Sequence, residues 1–416
     1  MNILSKMLEN GLTVFLAPMI GTETITGVFV VKAGTKYQAG ISEIAHLLEH
    51  MAFKGTQYRS PIDISRAIEG VGGQFNAFTS EEVIFYYIKT PASYTELVCD
   101  ILADIILNPL LDLIAMEKEK NVLIDELNTT KSDPMANLAG LILRPILFPY
   151  SRREEKDIKK ITRDHLIEYR HDLFTGPNSA VVFAGKIPDP EWLFSKIGES
   201  FKGLPARTPK RQKATIQPEP GPVFVKIIYK GIQQTQLAMG IKCSPATNVK
   251  YPLMILNHIL GVGESSRLFQ ELRVKRGFCY DIHSYLDLQS DIGFIIITGA
   301  FTQKWQEALE IIKEQFIFLC HDIDKEELES VKEGVLGRII MNMENSLFVA
   351  ENIALDWAIE GKVKTFEEEK EHINKVTIND IKIAAQETFK PENIYIALMG
   401  PKIKQEKEIL KLFSSL

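Results

Sequence analysis

The chain reads as α+β, built as two tandem copies of one α/β domain, and three observations lead there. Ile161-Thr162 and Val376-Thr377 lie 215 residues apart, and that offset holds without a gap through Phe174/Phe389, Asn178/Asn393 and Gly185/Gly400. Both copies read as a Thr-capped helix, a Pro-containing loop, then an apolar strand ending in Gly, SAVVFAG and IYIALMG. Strand-like runs alternate with amphipathic helices in each half. A single stretch, 205–222, carries five prolines and several charges, which marks an extended, exposed linker and a candidate hinge. The expected domains are therefore 1–204 and 223–416, which suits a chain of 416 residues.

The first half opens with strands over LTVFLAP (12–18) and TGVFVVKAG (26–34), each rich in β-branched and aromatic residues. A helix follows around residue 46, then a short one from Ile62 to Glu69. Gly72-Gly73 makes a turn into a strand pair across QFNAFTS and EVIFYYIKT. Helices cover 93–107 and 113–130; the apolar run at 101–116 contains Asp104, Pro109 and Asp112, so no membrane span is expected there. In the second half LAMGIKC (237–243) resembles VFVVKAG (28–34).

The helix around residue 46 carries His46-Leu47-Leu48-Glu49-His50. Residues i and i+4 share a helix face, so His46 and His50 can present two imidazoles to one metal ion. Glu49 stands where a carboxylate reaches a metal-activated water. The surrounding Ile44, Ala45, Leu47, Leu48, Met51, Ala52 and Phe53 are apolar. The imidazoles are thus expected in a partly enclosed place where a metal would satisfy them. The order His-x-x-Glu-His is the inverzincin signature and predicts zinc-dependent peptide hydrolysis. A catalytic zinc takes a third protein ligand. The helix 113–130 offers Glu117, Glu119 and Glu126; Glu119 and Glu126, two turns apart, share a face, and spacing leaves the choice open. At an offset of 210, His46, Glu49 and His50 fall on Leu256, Ile259 and Leu260, so the second half is expected to keep the fold without the metal site.

HLLEHMAFKGT (46–56), followed 76 residues after His50 by the Glu of IDELN, resembles the M16 metallopeptidases, the pitrilysin and mitochondrial-processing-peptidase group. The resemblance covers nearly the whole chain. It implies two duplicated domains of the LuxS/MPP-like metallohydrolase type in a clamshell arrangement. It also implies one Zn2+ per chain on His46, His50 and Glu126, with Glu49 as general base and Glu119 supporting the site. Gly72–Thr79 matches a family strand that binds substrate by edge pairing, with Asn76, Ala77 and Phe78 as contacts. Arg273 and Tyr280 match an Arg and a Tyr that hold the substrate backbone and the oxyanion, although Val274 stands where the family commonly has Glu. Arg276 competes with Arg273 for that role. The implied activity is a zinc endopeptidase, either a processing peptidase or an oligopeptidase, acting on unfolded or extended peptides in a closed chamber. Short chains of this family pair two copies, so a homodimer is expected. The competing reading is a non-catalytic scaffold or partner subunit of a heterodimeric peptidase or respiratory complex.

Composition bounds the rest. Charged residues are 25% and hydrophobic residues 45%, as in ordinary globular domains. A net charge of −6 without a basic block argues against nucleic acid as a partner, while acidic walls would attract basic, presequence-like peptides. The cysteines Cys99, Cys243, Cys279 and Cys320 lack metal-ligand spacing and read as reduced core thiols. Residues 1–10 are too short and polar for a signal peptide, so a bacterial cytoplasmic location is expected ahead of a processed organellar one.

Overall fold

The computed structural model describes residues 2–215, 217–229, 231–302, 304–403 and 406–416. The first half of the chain begins β1 (Leu4–Met7), β2 (Thr13–Pro18), β3 (Thr24–Val31), α1 (Ile44–Met51), α2 (Pro61–Glu69), β4 (Gln74–Thr79) and β5 (Ile84–Pro91). It continues with α3 (Thr95–Leu107), α4 (Leu113–Ser132), α5 (Arg163–Leu173) and β6 (Ser179–Gly185), and a helix over Pro190–Ser200 follows. The second half begins β7 (Val223–Ile228), β8 (Thr235–Cys243), α6 (Ala246–Gly261), β9 (Cys279–Leu288) and β10 (Gly293–Phe301). It continues through α7 (Trp305–His321), α8 (Lys325–Asn342), α9 (Ser346–Leu355), α10 (Ile378–Thr388) and β11 (Ile394–Gly400).

The two sheets are copies. Their orders are β1-β2-β6-β3-β5-β4 and β7-β11-β8-β10-β9. Each has one parallel pair, β2 with β6 and β7 with β11, the other pairs being antiparallel. Val30 pairs with Ala180 and Gly240 with Tyr395, which sets the offset of the central strands at 210. Thr162 and Thr377 both cap their helices with a capping box. Asn178 Nδ2 donates to Leu173 O at 2.8 Å, as Asn393 Nδ2 donates to Thr388 O at 3.1 Å. Even a buried lysine recurs: Lys120 Nζ lies 2.7 Å from Glu117 and Lys332 Nζ 3.1 Å from Glu329. The chain thus holds two α/β domains with mixed sheets.

The compact units are not cut once from the chain. One comprises Met1–Leu127, Arg153–Thr215 and Ile340–Phe366; the other comprises Asn128–Arg152, Ile216–Ile339 and Glu367–Leu416. Each half therefore lends an equivalent segment to the other's sheet. The reason lies in the strands: β6 and β11 are buried along their whole length, so both sheet faces need cover. In the first unit α9 covers one face, with Val349, Ala350, Ile353 and Ala354 packed on Val28, Val30, Phe85 and Val182. In the second, Leu138, Leu143, Leu147 and Phe148 pack on Ala238, Phe294, Ile296 and Ala397.

The Pro-rich stretch is extended but fastened. In the first unit Arg211 Nε binds Asp172 Oδ2 at 3.0 Å and Ala214 N donates to Lys36 O at 2.8 Å. In the second, Tyr395 Oη donates to Glu219 O at 2.7 Å. Its prolines, which carry no N–H, suit a strap held at a few points rather than by a continuous ladder. The four cysteines are free, and among the described residues no helix is long and apolar enough to cross a membrane.

Candidate metal centre

The site is carried by the first unit. Helix α1 turns Ile44, Ala45, Leu47, Leu48 and Met51 into the core, which leaves His46 and His50 on its other face with rings 4.8 Å apart. Helix α4 brings Glu119 and Glu126 to that face. Glu126 meets both imidazoles: its Oε2 lies 3.6 Å from His46 Nε2 and its Oε1 3.6 Å from His50 Nε2. Glu119 binds the far side of His50, 3.1 Å from Nδ1, and is itself held by Lys54 Nζ at 2.7 Å. Of the two glutamates that share this face, Glu126 is the one turned toward both Nε2 atoms. Glu117 pairs with Lys120 instead.

The donor set fits a zinc-like ion. His46, His50 and Glu126 offer one donor atom each within 4.8 Å of one another. Donors bound to one tetrahedral zinc at ~2.0–2.1 Å stand about 3.3 Å apart. Contacts of 3.6 Å are too long for hydrogen bonds and close to that spacing. Behind each imidazole a carboxylate faces Nδ1, Glu119 for His50 and Glu43 for His46, both at 3.1 Å. Such partners hold the proton on Nδ1 and leave Nε2 as the ligand. Burial alone would push the His46 pKa down, but the Glu43 hydrogen bond and charge outweigh it and raise it. Burial likewise favours a protonated Glu43, yet His46 and Arg153 hold its carboxyl below its ordinary value. Soft thiolates are absent from this set, and two imidazoles with a carboxylate also suit manganese or cobalt.

Glu49 is buried beside the cluster, and Thr79 Oγ1 donates to its Oε2 at 2.6 Å. That bond engages one carboxylate oxygen, Oε2, and not the other. Thr79→Val should retain the metal and slow turnover about tenfold, because a hydrogen bond to a charged group is lost; steady-state rates alongside metal content check it. Thr79, Glu43, Lys54 and Arg153 escaped the sequence reading. Glu43 lies three residues before His46, just ahead of α1, and Lys54 four residues after His50, so both are local in the chain. Arg153 is 107 residues from His46 and had no local signal.

Strand β4, which holds Asn76, Ala77 and Phe78, is the edge of its sheet and pairs only with β5. Ala77 N–H is capped by Asn76 Oδ1 at 2.9 Å and so faces away from β5. Phe78 instead stacks on Phe85, 4.7 Å between ring centres. Arg273 and Tyr280 lie in the second unit, the guanidinium 4.6 Å from the phenol ring centre. Arg276 is engaged by Glu271, its Nη1 reaching both the backbone oxygen and the carboxylate. Leu256, Ile259 and Leu260, the counterparts of His46, Glu49 and His50, are buried core residues of that unit.

Comparison with known proteins decides the family. Residues 22–145 match the insulinase (peptidase family M16) description and residues 160–335 the peptidase M16 inactive domain. An uncharacterized zinc protease of Bacillus subtilis is 30% identical over 404 residues, 94% of this chain and 97% of its own. The chain belongs to the M16 metallopeptidase family. A protease from Helicobacter pylori shares the fold with a TM-score of 0.88 at 23% identity, over 96% of this chain and 99% of that one. A chain of complex III from Candida albicans also shares it, with a TM-score of 0.83 at 14% identity, over 99% of this chain and all of that one. The fold therefore occurs in more than one kind of protein, and what this chain does has to be argued from its site.

Proposed function

We propose that this M16 chain is a zinc-dependent endopeptidase that hydrolyses peptide bonds in extended segments laid along β4. The observation that carries the proposal is Glu126 facing both Nε2 atoms while a carboxylate backs each Nδ1. When bound by His46, His50 and Glu126, zinc supplies Lewis acidity and makes a water nucleophilic near neutral pH. Glu49 takes the water's proton on Oε1 and returns it to the leaving amine, with Thr79 fixing its other oxygen. Glu119 with Lys54 holds His50 in orientation.

The peptide's main chain would replace Asn76 Oδ1 as the partner of Ala77 N–H, which asks little of the peptide's sequence. Asn76, Ala77 and Phe78 are thus assigned to substrate binding, Ala77 through its backbone. Ala77→Pro removes this donor at an edge position that tolerates proline. KM should rise about two- to tenfold with kcat less affected, as peptide titration would show. Arg273 and Tyr280 are assigned as donors to the oxyanion. Tyr280→Phe and Arg273→Ala should each lower kcat/KM by about a hundredfold with zinc retained; lost zinc in either would withdraw the assignment. Basic, presequence-like peptides are the first substrates to try. We assign a homodimer in a bacterial cytoplasm, which sedimentation and fractionation can test. Metal analysis with a quenched peptide tests the activity itself: bound metal without cleavage would favour the scaffold or partner-subunit role.

A further inference from the structure

Glu43, the residue before α1, adopts φ 66°, a left-handed conformation that a β-carbon resists and glycine accepts. Such strain persists where the surroundings hold it and the side chain has work to do. Here the side chain is 5% exposed, and the left-handed turn sets it beside His46, with Oε2 3.1 Å from Nδ1. The same oxygen lies 3.1 Å from Arg153 Nε, and Glu43 N–H donates to Gln38 Oε1 at 3.0 Å. Arg153 Nη2 also stands 3.4 Å from His46 Nδ1, but both atoms are donors once Nδ1 carries its proton, so Arg153 acts through Glu43. The pair mirrors Glu119 and Lys54 behind His50: each imidazole is backed by a carboxylate, and each carboxylate by a cation.

The chain path adds a second observation. Residues 128–152 belong to the second unit; Glu126 stands just before that segment and Arg153 is the first residue after it. These two residues of the first unit that flank the segment thus meet at His46, Glu126 at Nε2 and Arg153 beside Nδ1.

We propose that Glu43 and Arg153 are positioning residues for His46. Glu43 fixes the tautomer that points the Nε2 lone pair at the metal, and Arg153, delivered by the returning segment, fixes Glu43. The inference rests on His46 being a metal ligand. Its test uses the full chain stripped of metal, as wild type, Glu43→Gly, Glu43→Gln, Arg153→Met and Arg153→Lys. Zinc affinity is measured by competition with a chromophoric chelator, ligand geometry by cobalt(II) visible absorption, and folding by thermal unfolding. Glu43→Gly should unfold at or above the wild-type temperature, since glycine relieves the turn, yet bind zinc about 10–100-fold more weakly with an altered cobalt spectrum. Glu43→Gln keeps an acceptor without the charge and should fall between. Arg153→Met should weaken binding, and Arg153→Lys should restore part of it. Wild-type affinity and spectrum in folded Glu43→Gln and Arg153→Met would overturn the proposal. A wild type that itself fails to bind zinc would instead remove the metal reading beneath it.

Discussion

Glu49→Gln is expected to keep wild-type zinc content and lose turnover by about a hundredfold to ten-thousandfold, the range for removing a general base. The amide is isosteric and can still accept the Thr79 hydroxyl bond, so the pocket should hold its shape. It cannot hold the proton that the carboxylate passes from water to amine. Glu49 is not in the donor cluster of His46, His50 and Glu126, which is why metal and rate should separate. Near-normal activity in the variant would remove Glu49 from its role. Loss of zinc would mean that the carboxylate ligates after all.

Glu126→Ala and Glu119→Ala are expected to differ, although both residues lie on one face of α4. Glu126 faces both Nε2 atoms, so its removal takes away one of three donors and should abolish stable zinc binding and peptidase activity together. Glu119 meets His50 at Nδ1 and not at Nε2, and its loss should weaken zinc by about 10–100-fold, the usual effect of an outer partner. His50→Ala should behave like Glu126→Ala. Zinc titration into the metal-free proteins separates the cases, and equal effects of the two glutamates would contradict the assignment.

Much of this was legible in the sequence because its signals are local or periodic. The pair His46 and His50 follows from helix geometry alone, and the repeat from Thr162/Thr377 to Gly185/Gly400 gave the duplicated capped helices and inner strands. The edge position of β4 followed from the resemblance and is matched by the sheet order. What stayed hidden is non-local. Nothing in residues 128–152 says that they cover the other half's sheet, because an apolar helical stripe does not name its partner. Helix spacing alone left Glu119 and Glu126 open, and it was the resemblance that named Glu126, the carboxylate that faces both Nε2 atoms. Arg153 reaches His46 only through the fold, and Glu43 breaks the expectation that a left-handed residue is glycine. The linker's prolines marked the junction but not the contacts of Arg211 and Tyr395 that fasten it.

The most direct measurement strips the wild-type chain of metal, adds zinc back in steps, and follows cleavage of a quenched extended peptide at each step. Cleavage should be absent without metal, rise with zinc, and saturate near one equivalent per chain. Stoichiometric zinc binding with no cleavage of any extended peptide, basic or neutral, would contradict the claim that this chain alone is a peptidase.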